Sequence, residues 1–585
     1  MIRNLDTLAK QYGLDPEGSD RTKKKIQHRD LNQKAQINDN DVPMMYRAQT
    51  EGRCHLQYAN DNLDLKRWSD EWITLDRYHP GHAIYQRVEP PLGLQDSIYR
   101  IKIQFPFRVF SNCGQDSIHR PVLGKNGIPF IPGSSIKGLF RRLLYTPNRS
   151  ADSRQRIEAY CGSADKPGTL RFHGAYPVGE WAGAKQVVLW KKGARVEETH
   201  YQVVDLVHPQ EKRQVEEVGH GKTSAYALIS LYQPMMIFEL SSSDSDIDWK
   251  EVEGLFKTAL RPGLGGKTST GYGLAYLPKD KYSFSIRLHG TGVTSQLPSG
   301  EPEFRPNLFK ATLRSHIMRL LGGVYQDSNK KEKSVRDKVA ALFGSSSSPG
   351  SVEIFWEAPL KQVWETTYDI RGTLNINALE KDLEFLKWVL KFAYVMGGFG
   401  KSWRRVDHNR FYRSDYGKQI GCHWECDPDG EFTDWLTDIK SSKQLTTFLD
   451  DLQKQCCQYT QVQKSQSLIW KEAWHPGRVA VYSQVVDTSQ AIHLFHDPTF
   501  KTTPAIGGKN SDDDHPTHVS SVWHRMLPIG NNQYLEIVTV FHGDREPWQH
   551  ETGGDQLQPF IQKLKENQLA HTWGTNPCDP HKVDV

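Results

Sequence analysis

Gly162-Ser163-Ala164-Asp165-Lys166-Pro167-Gly168 runs straight into the strand-like Thr169-Leu170-Arg171-Phe172. The chain repeats the device at Gly344-Ser345-Ser346-Ser347-Ser348-Pro349-Gly350, followed by Ser351-Val352-Glu353-Ile354. The shared pattern is G-S-x-x-x-P-G before a strand. So loose a pattern gains its weight from what surrounds each copy. Upstream of the first lies Ile131-Pro132-Gly133-Ser134-Ser135-Ile136-Lys137-Gly138-Leu139-Phe140-Arg141-Arg142-Leu143-Leu144, a proline followed by a basic helix. Upstream of the second lies Arg305-Pro306-Asn307-Leu308-Phe309-Lys310-Ala311-Thr312-Leu313-Arg314. In both, Lys and Arg stand four apart (137 and 141; 310 and 314), which puts them on one helix face.

Each copy also has a strand before and a glycine loop after. Tyr99, Ile101, Ile103, Phe105, Phe107 and Val109 alternate with Arg100, Lys102, Gln104 and Arg108; Tyr282, Phe284, Ile286 and Leu288 alternate with Ser283, Ser285, Arg287 and His289. Period two means one buried face and one polar face. Downstream, an amphipathic helix ending at Ala259 and Leu260 leads to Pro262-Gly263-Leu264-Gly265-Gly266-Lys267-Thr268-Ser269-Thr270-Gly271-Tyr272-Gly273. Its counterpart, ending at Val389, Leu390 and Phe392, leads to Met396-Gly397-Gly398-Phe399-Gly400-Lys401-Ser402-Trp403-Arg404-Arg405. Matching features in one order argue for a duplicated unit of strand, helix, strand, hairpin, helix and glycine loop. That order fits a ferredoxin-like (RRM-like) βαββαβ module, so the expected class is α+β with two fused modules.

Length agrees with this division. Single cores stop growing near ~250–300 residues, and the chain has 585. The expected boundaries are an N-terminal arm at 1–90, a first module at 91–280, a second at 281–545 with a helical insertion near 408–476, and a polar tail at 546–585 carrying one helix at 556–568. With 37% hydrophobic and 11% aromatic residues, global disorder is excluded. The net charge of +5 is too small to identify a nucleic-acid partner by itself, so any basic surface must be local. The opening MIRNLDTLAKQYG has no apolar signal-peptide core, and no run of about 18 apolar residues exists for a membrane helix. Eight cysteines in so long a chain do not make a disulfide framework, which points to a reduced, cytoplasmic protein.

The first basic helix reads as a phosphate site. Ser134 is the expected N-cap after the Pro-Gly break. Ser134 and Ser135 open the helix, whose free backbone N–H groups and macrodipole favour an anion. Lys137 and Arg141 extend the positive site, while Ile136, Leu139, Phe140 and Leu143 pack inward. The glycine loop is not a nucleotide-binding P-loop. The glycine needed five residues before Gly-Lys-Thr is Arg261, and before Gly400-Lys401-Ser402 it is Val395. Gly265, Gly266, Lys267, Thr268 and Ser269 instead suit close approach to an RNA backbone, with Tyr272 expected to stack on a base.

These motifs together, P-G-S-S-x-K-G-x-x-R, then G-S-x-x-x-P-G-x-L-x-F, then G-x-G-G-K-T-S-x-G-Y-G, resemble the RAMP superfamily. Its members form the backbone of type III CRISPR effector complexes. The resemblance is specific for residues 95–280 and recognisable for 281–545, and a fused pair resembles the merged subunits of type III-D-like systems. It implies guide RNA, target RNA and other effector subunits as partners, with no membrane. Lys310, Arg314, Lys401, Arg404 and Arg405 would hold guide RNA in the second module. It also implies a protruding thumb hairpin near 193–226, and at most a reduced one between Glu357 and Tyr368.

In target-cleaving members an aspartate sits in the loop between first strand and basic helix. Here that loop contains Asp116-Ser117-Ile118-His119-Arg120-Pro121-Val122, and Asp116 is its only acid. The resemblance makes Asp116 the cleaving residue and the ligand for Mg2+ or another divalent cation, with His119 as proton acceptor and Arg120 as charge clamp. The matching loop of the second module has no aspartate; Glu301 and Glu303 lie beside Arg305-Pro306. The competing readings are a non-catalytic guide-binding scaffold and a guide-precursor processing ribonuclease using His119.

Other signals are weaker. Cys422-x-x-x-Cys426 with His423, and Cys456-Cys457, lack a second correctly spaced pair, so zinc is not expected. Asp512-Asp513-Asp514-His515 reads as a solvated acidic loop, and no G-x-S-x-G elbow supports a serine hydrolase.

Overall fold

The computed structural model describes residues 73–74, 88–111, 113–115, 118–120, 122, 129–145, 149–191, 194–207, 226–277, 282–297, 301–325, 328–345, 350–364, 366–400, 404–412, 421–427, 432–463, 465–468, 470, 472–506, 521–550 and 554–578. Helices and largely antiparallel sheets combine in an α+β arrangement. None of the described helices is long and apolar enough to cross a membrane.

The first sheet has the order β1-β2-β11-β6-β5, from β1 (Gly93–Gln95), β2 (Ile98–Gln104), β5 (Ile131–Pro132), β6 (Leu170–Val178) and β11 (Met235–Ser242). The alternating residues fill one face: Ile101 and Ile103 meet Met236, Phe238 and Leu240 in a single core. Helices α1 (Gly133–Arg142), α2 (Ala151–Cys161) and α3 (Trp249–Leu260) close it with Ile136, Phe140, Ile157, Val252 and Phe256. The ladder of β2 stops at Gln104, short of the alternating run to Val109. Pro106 cannot donate a ladder hydrogen bond, and Phe107 and Phe110 turn away to pack with Tyr272.

Beside this sheet lie the hairpin of β7 (Ala184–Lys191) with β8 (Ala194–Tyr201) and a small sheet ordered β3-β4-β10-β9. The latter joins β3 (Cys113–Gln115) and β4 (Ile118–Arg120) to β9 (Val204–Val207) and β10 (Tyr226–Ile229).

The second sheet is antiparallel throughout, ordered β15-β16-β12-β18, from β12 (Phe284–Val293), β15 (Glu353–Val363), β16 (Thr367–Asn377) and β18 (Cys422–Cys426). Helices α4 (Asn307–Gly322) and α5 (Asn329–Phe343) follow β12, and α6 (Glu380–Met396) follows β16. The stretch 408–476, expected to be a helical insertion, therefore also supplies an integral strand. Trp424 explains why: fully buried, it packs edge-on against Phe309 and Phe399, so β18 completes the core of the second sheet. The same stretch contributes α7 (Ser442–Thr460). A short hairpin of β13 (Ser295–Gln296) and β14 (Pro302–Glu303) leads into α4.

The strands expected within 477–545 form a third sheet rather than extending the second. Its order is β17-β20-β21-β19-β24, from β17 (Arg404–Arg405), β19 (Val479–Val486), β20 (Val522–Gly530), β21 (Gln533–Phe541) and β24 (Ala570–Gly574). The expected polar tail thus provides the edge strand β24, together with α8 (Leu557–Glu566) and a two-residue pairing of β22 (Gln549–His550) with β23 (Gly554–Asp555). One face joins the second core through Trp523, Trp474 and Trp573; the other packs against Phe560, Ile561 and Leu564 of α8. Burial on both faces is why β21 reads as a near-continuous apolar run.

The opening glycine of the G-S-x-x-x-P-G device takes one geometry twice. Helix α2 ends at Gly162 (φ 79°, ψ 162°) and α5 ends at Gly344 (φ 90°, ψ 165°), a conformation that only glycine adopts readily. Gly162 N–H donates to Glu158 O at 2.7 Å, and Gly344 N–H donates to Ala340 O at 2.8 Å. Each helix also begins with a serine cap: Ser150 Oγ accepts from Ser153 N–H, and Ser328 Oγ accepts from Lys331 N–H.

Candidate nucleic-acid interface

Helix α1 is placed by a close backbone approach. A side chain at Gly133 would collide with Phe172 O at 1.8 Å, so only glycine lets the helix start against β6. The buried face then locks, with Ile136 and Phe140 fully covered and Phe140 packed on Phe172. The opposite face carries Ser134, Ser135 and Arg141 exposed and Lys137 half-buried. The expected Ser134 cap is not formed. Pro132 occupies the N-cap with no side-chain bond, and Ser134 lies in the first turn. The first turn has no acidic residue, and Arg141 and Arg142 lie in the last. The electrostatic reach of this face shows at Cys161: burial pushes its thiol up to about 11, while Lys137 and Arg141 pull it down.

The glycine loop meets a different fate. It was expected to offer unencumbered N–H groups and Tyr272 to an RNA. Instead Gly266 N–H donates to Phe110 O at 2.7 Å, Gly273 N–H donates to Arg108 O at 2.9 Å, and Leu264 N–H donates to Gly273 O at 2.8 Å. A Cβ at Gly265 would meet Phe110 O at 2.1 Å. Tyr272 is buried, stacked on Phe107 and edge-on to Phe110. It is a packing residue, because apolar neighbours on both sides satisfy its ring. Lys267 remains exposed in left-handed backbone (φ 57°), while Thr268 and Ser269 are half-buried in the following turn.

What the loop receives is helix α4. Lys310 is 3% exposed, and its Nζ donates to Thr268 O at 3.0 Å. Burial, with Arg314 adding to it, lowers its pKa to about 8. Lys310, expected on an RNA-facing surface, is therefore an internal contact. Arg314 is half-buried.

Around this contact sits an ion-pair network that sequence reasoning missed. Arg108, fully buried, donates from Nε to Glu303 Oε1 at 2.7 Å and from Nη1 to Ser230 Oγ at 2.6 Å. The other oxygen of Glu303 accepts from Arg305 Nε at 2.9 Å, and Lys185 pairs with Glu301. The signal was only partial: Glu303 beside Arg305 was visible, but nothing in a sequence pairs it with a strand residue 195 positions away.

His119 and Arg120 lie in β4, whose described part is its backbone: His119 pairs with Gly114 in β3 and with Leu228 in β10. Asp116, between β3 and β4, lies outside the described residues, as do Lys401 and the segment 208–225 of the expected thumb. Arg404 and Arg405 form β17, parallel to β20. His423 of the weighed zinc motif is bonded to Glu425 at 2.8 Å. Among the described residues no group of three His, Cys, Asp or Glu side chains is placed to hold a metal.

The segment bearing α1 and the glycine loop has a recognisable relative. Residues 117–276 match the RAMP superfamily. The RAMP match covers a little over a quarter of the chain and ends just after the glycine loop. A search of curated proteins finds no match. Among solved structures, the chain resembles one in the cryo-EM structure of the Type III-B Cmr-beta bound to cognate target RNA. Identity there is 18%, TM-score 0.22, with 31% of this chain and 58% of that chain covered. Cmr1 from Pyrococcus furiosus matches at 13% identity and TM-score 0.33, over 50% of this chain and 98% of its own. Cmr6 from Pyrococcus furiosus matches at 18% identity and TM-score 0.21, over 32% and 100%. At these TM-scores the likenesses fix neither fold nor function here.

Proposed function

We propose that this chain is an RNA-binding backbone subunit of a type III CRISPR effector complex, acting in the cytoplasm and built from two fused ferredoxin-like RAMP modules in the manner of type III-D-like systems. The observation that carries this is the open basic face of α1 inside the RAMP-matching segment. Ser134, Ser135, Lys137 and Arg141 combine helix-terminal N–H groups, hydroxyls and two cations, the chemistry that grips a phosphodiester backbone without reading its bases. The second sheet supports the module reading, since β12, α4, β15, β16, α6 and β18 follow the βαββαβ order.

The first module also cleaves target RNA through Asp116. The sheet β3-β4-β10-β9 supports this reading: the strands flanking Asp116 share it with β9 and β10, which flank 208–225 within the proposed thumb near 193–226. A thumb rooted there would bend the bound strand beside the carboxylate. Asp116 would orient the attacking ribose 2′-hydroxyl, His119 accept its proton and Arg120 face the charge that develops on the phosphate. A divalent ion there would neutralise phosphate charge; a single carboxylate suits Mg2+, which keeps several waters and shares phosphate oxygens. The second module serves as scaffold, because Glu301 and Glu303 are both engaged in ion pairs.

The test is target-RNA cleavage by the reconstituted guide complex with magnesium. Asp116→Ala should remove one or more specific cuts while target binding is unchanged. An unaltered product ladder would leave this chain as a non-catalytic scaffold.

A further inference from the structure

The chain crosses from α1 to α2 through four arginines. Arg141 and Arg142 lie in the last turn of α1, Arg149 precedes the Ser150 cap of α2, and Arg154 follows near the start of that helix. Asp152 is the one acid from 141 to 154. Among the described residues, neither it nor any of the four arginines enters an ion pair, whereas Arg156 is taken by Glu251 at 2.9 Å. The two on α1 are accounted for by their own helix, because cations favour a C-terminal end. Arg149 and Arg154 stand at the opposite end of theirs.

Three unfavourable influences meet on Arg149. The positive end of the α2 dipole repels it. Burial and the neighbouring charge of Arg154 hold its guanidinium below the ordinary arginine value. Its Nε is buried and meets no acceptor among the described residues. A hydrogen bond from Nη1 to Ser153 Oγ at 2.9 Å fixes the guanidinium plane without supplying a counter-charge. An anion seated against Arg149 and Arg154 offsets all three. Beside them, the turn Leu143–Tyr145 packs against α2 and leaves Tyr145 77% exposed, stacked on no described ring.

We propose that this corner binds one nucleotide of a single-stranded RNA, with its phosphate at Arg149 and Arg154 and its base on Tyr145. A strand of RNA fits better than an acidic peptide. A peptide carboxylate answers the arginines and leaves the open ring unused, whereas a nucleotide engages both. This rests on the RNA-binding reading above and adds a separate contact to it. The ten residues of α1 span about 15 Å, so the phosphate held at Ser134 and Lys137 is not the one held here.

The experiment titrates the full chain with a short single-stranded RNA over a range of salt. Melting temperatures are taken without RNA, in phosphate and in chloride of equal ionic strength. Wild type is compared with Arg149→Gln, with Arg149→Gln plus Arg154→Gln, with Tyr145→Ala and with Tyr145→Phe. Arg149→Gln raises the melting temperature in chloride while RNA binding weakens on the order of tenfold, opposite signs that a merely structural arginine does not give. The double variant makes the salt slope shallower by about 0.7, one phosphate's share on a single strand. Tyr145→Ala weakens binding about fivefold or more, and Tyr145→Phe keeps the wild-type affinity. If RNA binds normally and no variant changes affinity or slope, the corner assignment falls while the RNA-binding reading stands. If Arg149→Gln lowers stability and affinity together, the arginine is structural and the assignment also falls. If phosphate stabilises wild type but not Arg149→Gln, with RNA affinity the same in both, the corner is a free-anion site and the strand assignment falls. If wild type binds no RNA at all, the RNA-binding reading itself is overturned, and the corner assignment with it.

Discussion

Helices α1 and α4 begin alike, each just after a proline and each with Lys and Arg four residues apart, yet they finish in opposite environments. On α1 Arg141 is exposed and Lys137 half-buried. On α4 the glycine loop of the first unit closes over Lys310, whose Nζ donates a hydrogen bond to Thr268 O. Spacing determines which residues share a face. It does not determine what that face meets, and here the glycine loop at 263–273 is the occupant. The glycine loop that resembles an RNA contact is the seat on which the second unit sits.

The comparison can be broken most severely at Glu303. Its carboxylate is the counter-ion of both Arg108 and Arg305, so Glu303→Ala leaves a fully buried guanidinium uncompensated. The expected cost is about 3–5 kcal/mol in urea unfolding. A loss below about 1 kcal/mol would mean that this pair does not hold the junction.

Lys310 gives the next effect, and its sign is specific. Burial lowers its folded value to about 8, below the ordinary 10.5, so the unfolded chain holds the proton more strongly. The cost of burying the charge is fully present below about pH 8 and fades as pH rises toward 10.5. Relative to Lys310→Met, wild type should therefore gain stability across that window, by on the order of 3 kcal/mol when complete. Parallel unfolding midpoints at neutral and alkaline pH check this; a gap that is flat or widens with pH would place Lys310 in water.

The smallest effect tests the likeness of the two serine caps. Ser150→Ala and Ser328→Ala remove matching helix caps and should each cost about 0.5–1 kcal/mol. Thermal melts showing a loss in one and none in the other would mean that the two devices are not energetically alike.

Much of this architecture was legible from local pattern. Alternation placed β2 and β12, the paired G-S-x-x-x-P-G stretches placed the starts of β6 and β15, and the apolar stripe of α1 was read residue by residue. Relations across long sequence distances were not legible. Tyr272 reads as a stacking residue because only Phe107 and Phe110, folded back from β2, reveal that its ring is already covered. β18 was hidden inside a helical-looking stretch because its membership in the second sheet depends on Trp424 meeting Phe309. The polar composition of 546–585 concealed β24, an edge strand that needs pairing on one side only. For the candidate site, the α1 face was readable, whereas Arg108 and Glu303 acquire their roles only where separate elements meet.

The most direct test of the account is the salt dependence of RNA affinity, because each cation on the RNA path releases counterions. It should be measured for wild type, for Lys137→Ala with Arg141→Ala, and for Lys310→Met. The α1 double variant should bind more weakly, with a slope shallower by about one to two units, while Lys310→Met keeps the wild-type slope. An unchanged slope in the α1 variant, or a slope lost with Lys310 alone, would contradict it.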